Sequence, residues 1–184
     1  MGREPNQACR KSFKQPKYFF CRYTITTSKW IGSNLDKKPS IKIGLLGLGV
    51  VGSGVADVLI NQRENLAKKS GIDINVCGVA VRDKTKSRSF DINPKLITEN
   101  ASELIDNPEI DIIVELIGGE KPALDYILQS LSNKKHVVSA NKEVIAKHGS
   151  RIFDLASKNQ VNISYEASVA GGTPIIGPLS NELV

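Results

Sequence analysis

From Ile41 onward the apolar residues fall into two alternating rhythms. Ile41–Leu46 is a short apolar run that ends at Gly47, and it predicts a parallel strand buried on both faces. From Val50 to about Lys69 the apolar positions Val51, Val55, Val58, Leu59 and Leu66 recur at the spacing of one helical face. Ser70-Gly71 stops that helix, and Ile74–Val81 predicts the second strand. A polar loop and a short helix near Ala101–Asp106 come next, then a third strand over Ile110–Leu116. A helix over Lys121–Leu131 carries Pro122 in its first turn, where proline is tolerated. A strand at His136–Ser139, a helix from Lys142 to about Lys158 and a strand at Val161–Tyr165 complete the pattern. Strands alternating with helices predict an α/β fold, a Rossmann-type doubly wound parallel sheet with helices on both faces.

Residues 1–40 lack any sustained period, so three sections are expected: a basic leader (1–40), the sheet domain (41–165) and the start of a further domain (166–184). The leader is poor in acids and rich in Lys, Arg, Ser and Thr, which suits a disordered extension, an organelle-targeting segment or a misassigned start. At 184 residues the chain has room for one sizeable core. A net charge of +6 suggests a nucleic-acid partner until it is divided along the chain. Residues 1–40 hold nine of the 25 Lys and Arg but two of the 19 Asp and Glu, which leaves 41–184 with 16 basic and 17 acidic residues. The basic character belongs to the leader, so no nucleic-acid partner is expected. No run approaches the roughly 18 apolar residues of a membrane span. Cys9, Cys21 and Cys77 lack paired spacing, and Cys77, inside an apolar strand, reads as a small core thiol. A reducing, cytoplasmic setting is expected, with organelle targeting through the leader as the alternative.

The strongest chemical signal is Gly47-Leu48-Gly49-Val50-Val51-Gly52, a G-x-G-x-x-G between a strand and an apolar-faced helix. Gly47 serves a tight turn, Gly49 lets a pyrophosphate approach the backbone, and Gly52 lets helix and sheet pack closely. The diphosphate is expected over the helix N-terminus, whose unpaired N–H groups favour anions. A glycine-rich turn without a ligand is the alternative. Dinucleotide-binding proteins that prefer NAD place an acid where the second strand ends. Here that strand ends Ala80-Val81-Arg82-Asp83, with Lys84, Lys86 and Arg88 following. Arg82 can pair with a 2′-phosphate, which favours NADP; Asp83 keeps NAD open, and a solvated basic loop is the bland alternative.

Glu115-Leu116-Ile117-Gly118-Gly119 closes the third strand, and its two glycines should border the cofactor or form a plain turn. Lys142 opens a helix, where a cation opposes the dipole, so it reads as serving a ligand or as a solvated lysine. Glu166-Ala167-Ser168-Val169-Ala170-Gly171-Gly172-Thr173-Pro174-Ile175 is too rich in small residues for an ordinary helix start. It is a flexible loop, or a cradle that offers carbonyls and one carboxylate to a ligand or cation.

Taken together, GLLGLGVVGSGV, AVRD, VELIGG, SANKEVIA and EASVAGGTPI, in this order and spacing, resemble homoserine dehydrogenase from about Ile41 to the last residue. The resemblance implies NAD(P)-dependent interconversion of L-homoserine and L-aspartate 4-semialdehyde, a step toward threonine, methionine and isoleucine. It implies cofactor contacts from Gly47, Leu48, Gly49, Val50, Val51, Gly52, Arg82, Ile117, Gly118, Gly119 and Lys142. It also implies a sodium ion at Glu166, Val169, Gly171 and Thr173, the last three mainly through backbone oxygens. Family members continue into a substrate-binding, dimerising domain that carries the catalytic lysine, so no catalytic residue is expected before Val184 and the chain is expected to be a fragment. A homodimer through that domain is implied as well. The competing reading is a stand-alone dinucleotide-binding module without catalysis.

Overall fold

The computed structural model describes residues 39–86, 91–169, 171, 173, 175, 176, 178 and 179. Most of the leader (1–38), together with Arg88, Ala170, Gly172, Pro174 and Leu183, therefore lies outside the described residues.

Six parallel strands form one sheet in the order β3-β2-β1-β4-β5-β6. They are β1 (Ser40–Leu46), β2 (Asp73–Ala80), β3 (Ile97–Thr98), β4 (Ile112–Glu115), β5 (His136–Ser139) and β6 (Ile163–Ser164). The helices are α1 (Val50–Asn61), α2 (Arg63–Ser70), α3 (Ala101–Ile105), α4 (Ala123–Ser132) and α5 (Lys142–Asn159). The order reverses between β1 and β4, which creates the crevice where doubly wound folds bind their ligands.

Alternation along each strand divides the core into two layers. Ile43, Leu45, Val79 and Val114 pack with Ala56, Val55 and Leu59 of α1. Leu46, Ala80 and Ile113 face the other way and pack with Leu104 and Ile105 of α3. On that second face Val137 of β5 joins Leu124, Ile127 and Leu131 of α4 and Val144, Ile152 and Ala156 of α5. In parallel sheets buried on both faces, nearly continuous apolar runs are the required sequence. Cys77 is half-buried beside the α3 layer, and burial pushes its thiol above the ordinary range.

Three expectations need correction. The first long helix is two: α1 ends at Asn61 and α2 starts at Arg63, whose guanidinium makes two 2.7 Å bonds to the Asp73 carboxylate and draws α2 toward the start of β2. The inward face of α1 is also smaller than its valines suggest. Gly52, Ser53 and Ala56 are buried, whereas Val51 is 59% exposed and Val58 41% exposed. Finally, α4 begins at Ala123, with Pro122 as its N-cap residue, because Glu120 to Pro122 form the preceding turn and the Leu124 N–H bonds back to the Glu120 carbonyl.

Two short features escaped the periodicity argument. A 3-10 turn at Pro94–Leu96 leads into β3, and the Val81 N–H donates to the Thr98 carbonyl. Gly44 and Gly78 also stand opposite each other in neighbouring strands, beside a register shift. A Cβ on Gly44 would lie 2.9 Å from Ile113 Cδ1, and one on Gly78 would lie 2.5 Å from Leu104 Cδ2. The glycine pair makes the room in which α3 packs onto the sheet.

The close approach of α1 gives a direct test. A Cβ on Gly52 would collide with the backbone of Gly47, while Gly54 has open space around it. Gly52→Ala should cost about 1–3 kcal/mol in urea unfolding. Gly54→Ala, at an exposed helical position, should gain about 0.5–1 kcal/mol. If the two variants unfold at the same urea midpoint, the tight contact is not what holds the helix.

Candidate functional site

The expected site segments each follow the carboxyl end of a strand. The strand order sets them in a row: Arg82 past β2, the glycine turn past β1, Ile117–Gly119 past β4, Lys142 past β5 and Glu166 past β6.

The glycine turn sits at the middle of that row. The Gly47 N–H donates to the Ala80 carbonyl at 2.8 Å, tying the turn to the end of β2. Gly47 has φ +102°, and a Cβ there would lie 2.8 Å from the Leu116 carbonyl oxygen, so both conformation and space demand glycine. Leu48 is buried and anchors the turn. Gly49 is the N-cap of α1, with no side-chain cap and nothing within 4 Å of a built Cβ. Val50 is 92% exposed. The first turn of α1 thus meets open space through backbone with no side-chain acceptor of its own at the cap, an arrangement that suits a diphosphate.

On the β2 side Arg82 is exposed, two residues past the strand. Asp83 Oδ1 accepts from the Thr85 N–H at 2.8 Å and from the Thr85 hydroxyl at 2.6 Å, so this oxygen is committed to the local turn. The Lys84 N–H donates to Glu99 Oε1, which fastens the loop to the end of β3.

On the other side, a buried polar network joins the ends of β4 and β5. Glu115 and Ser139 are fully buried, and Asn141 nearly so. Glu115 Oε1 accepts from the Ile117 N–H at 2.7 Å, and Oε2 accepts from the Ser139 hydroxyl at 2.6 Å. The Asn141 N–H donates to Ser139 Oγ, and Asn141 Nδ2 donates to the carbonyls of Ile117 and Gly119. Asn141 Oδ1 caps the Val144 N–H at the start of α5. Gly118 and Gly119 are exposed with open space above them, and Gly119 has φ +81°. Lys142 is the first residue of α5 and is exposed.

Below this edge, Glu120 meets His148 Nε2 at 2.8 Å and Lys147 at 2.9 Å; Lys147 also meets Glu143 at 2.7 Å. Together these contacts hold Glu120 below the ordinary carboxylate range and raise Lys147. Past β6, Glu166–Ser168 forms a 3-10 turn, and Glu166 Oε1 accepts from the Ile176 N–H at 3.1 Å. Val169 is half-buried; Gly171 (φ +58°) and Thr173 are exposed. Among the described residues no group of three or more His, Cys, Asp or Glu gathers as metal ligands, and no helix is long and apolar enough to cross a membrane.

The sequence profile described as homoserine dehydrogenase, NAD binding domain, matches residues 47–166. The chain belongs to this family. Among homoserine dehydrogenases it is 39% identical over 144 residues to that of Bacillus subtilis, and 41% identical over 144 residues to that of Synechocystis. Each match covers 78% of this chain and 33% of the relative. The crystal structure of a homoserine dehydrogenase from Thiobacillus denitrificans is similar with a TM-score of 0.69 at 43% identity, covering 77% of this chain and 33% of that one. The chain spans about a third of the length of these relatives.

Within this homoserine dehydrogenase domain, Glu115, Ser139 and Asn141 lie inside the VELIGG and SANKEVIA motifs, but the motifs alone do not show the network that joins them. A signal was present: Glu115 interrupts an apolar run in a strand predicted to be buried on both faces, and a buried carboxylate needs donors. Burial pushes the Glu115 carboxyl above the ordinary 4.5, and the donors at Ser139, Ile117 and Asn141 offset only part of that rise. An acid with a raised folded pKa keeps its proton in the native state where the unfolded chain has already released it. Its contribution to stability is therefore lost as pH rises from about 4.5 through the folded pKa. Relative to Glu115→Gln, the wild-type chain should lose stability across that window in urea unfolding. A difference between the two proteins that stays constant from pH 4 to 8 would contradict the assignment.

Proposed function

We propose that this chain is the cofactor-binding domain of a homoserine dehydrogenase, interconverting L-homoserine and L-aspartate 4-semialdehyde with NADP(H) in preference to NAD(H). In this reading residues 41–165 form the dinucleotide domain, and 166–184 open a substrate-binding, dimerising domain. Small-molecule chemistry in the cytoplasm, not nucleic-acid or membrane binding, is its work. The observation that carries the reading is the glycine turn, in a chain that belongs to this family. Its backbone is bare where a diphosphate needs room and closed, at Gly47 and Gly52, where helix and strand must touch.

Gly47, Leu48, Gly49, Val50, Val51 and Gly52 would hold the diphosphate, with the α1 N-terminus favouring its charge. Arg82 would pair with the 2′-phosphate, and the use of Asp83 Oδ1 within its own turn supports NADP over NAD. Ile117, Gly118, Gly119 and Lys142 would border the nicotinamide half. When bound, the nicotinamide supplies hydride exchange with the carbon that is alcohol in one substrate and aldehyde in the other. The hydroxyl proton needs a base, which in this reading is a lysine of the substrate-binding domain. Glu166 with the backbone oxygens of Val169, Gly171 and Thr173 is an oxygen-only donor set with one carboxylate, suited to a hard monovalent cation such as sodium.

Titration of the chain with NADPH and NADH, read by cofactor fluorescence, tests the cofactor assignment. NADPH should bind more tightly, and Arg82→Ala should remove about 1–3 kcal/mol of that advantage, the worth of a charge-assisted contact. Equal affinities that Arg82→Ala leaves untouched would defeat it. A second assay follows NADPH formation from L-homoserine by purified 1–184. No turnover is expected; turnover above background would place the base inside the chain, with Lys142 the first residue to replace.

A further inference from the structure

We propose that Glu115 is the positioning residue for the nicotinamide half of the site, acting through Ser139 and Asn141 on the turn at Ile117–Gly119 and on Lys142. This rests on the reading that a dinucleotide lies across the carboxyl edge, with its adenosine over β2 and its other half over β4 and β5. Glu115 is fully buried, and none of the ion pairs among the described residues includes it. A strand built for packing alone would carry an apolar side chain here, as it does at Ile113 on the same face. The carboxylate instead gathers donors from both strand ends: the Ile117 N–H on the β4 side and the Ser139 hydroxyl on the β5 side. Ser139 Oγ receives the Asn141 N–H, and the Asn141 amide grips the carbonyls of Ile117 at 3.0 Å and Gly119 at 2.7 Å. The same side chain caps α5 through the Val144 N–H, two residues after Lys142. The turn that presents Gly118 and Gly119 is thus held from below by Glu115 and from the side by Asn141. No member of this network lies on the β2 side, where Arg82 stands.

That asymmetry provides the test. NADPH and adenosine 2′,5′-bisphosphate, which lacks the nicotinamide half, are titrated against the wild-type chain and against Glu115→Gln and Ser139→Ala. Each substitution should weaken NADPH about five- to tenfold, the effect of losing about one hydrogen bond, and leave the bisphosphate within about twofold of wild type. Backbone amide resonances of Ile117, Gly118 and Gly119 should shift in the same variants. If Glu115→Gln does not fold, Ser139→Ala, which keeps the carboxyl in place, decides the matter alone. Parallel weakening of both ligands would reduce the network to a scaffold and overturn the proposal, as would unchanged NADPH affinity. A wild-type chain that binds neither ligand overturns the dinucleotide reading itself, and the proposal with it.

Discussion

Helix α1 meets the end of β1 at a separation that only glycine allows, because a side chain on Gly52 would occupy the space of the Gly47 backbone. Much of the domain follows from that contact. It brings the small residues Ser53 and Ala56 against the sheet, and it leaves Val51 and Val58 toward solvent despite their apolar character. It also directs the first turn of α1 over the middle of the carboxyl edge. There, strand order brings the other candidate turns alongside it. The Gly47 backbone is held in turn by the ends of β2 and β4, through its bond to Ala80 and its close packing on Leu116.

The strands and most helices were legible because parallel strands buried on both faces must be mostly apolar, as the runs at Ile41–Leu46 and Ile74–Val81 are. Lys142–Asn159 was legible for a different reason: its apolar positions repeat with the helical period. The break at Gln62 was not: no glycine or proline marks it, and the Arg63–Asp73 pair beside it joins residues ten apart. Strand β3 has two residues and no rhythm to read. The valines of α1 misled for a physical reason. Periodicity reports which side of a helix is apolar, but steric contact decides which side approaches the sheet.

The candidate site divides along the same line. Gly47 and Gly52 announce themselves because backbone geometry restricts the residue type, Gly49 because a diphosphate would need the room above it, and Arg82 because an acid is expected in its place. Glu115 and Ser139 lie inside the VELIGG and SANKEVIA motifs, but neither motif pairs them. Their roles exist only where β4 and β5 run in register, Glu115 beside Ser139. A pairing of that kind is a property of the sheet, not of either segment. The odd carboxylate in an apolar run was the single trace it left in the sequence.

The two halves of the site are fastened in unlike ways. The loop bearing Arg82 is attached by surface bonds, from Thr85 to Asp83 and from Lys84 to Glu99. The turns at Ile117–Gly119 and Asn141 are tied to a buried carboxylate whose loss disturbs the core. Mutations therefore meet very different resistance at the two ends. Residues around Arg82 can be exchanged at small cost to folding, so the choice between cofactors is open to evolutionary drift or to redesign with a few surface changes. The geometry at the opposite end is inherited with the fold.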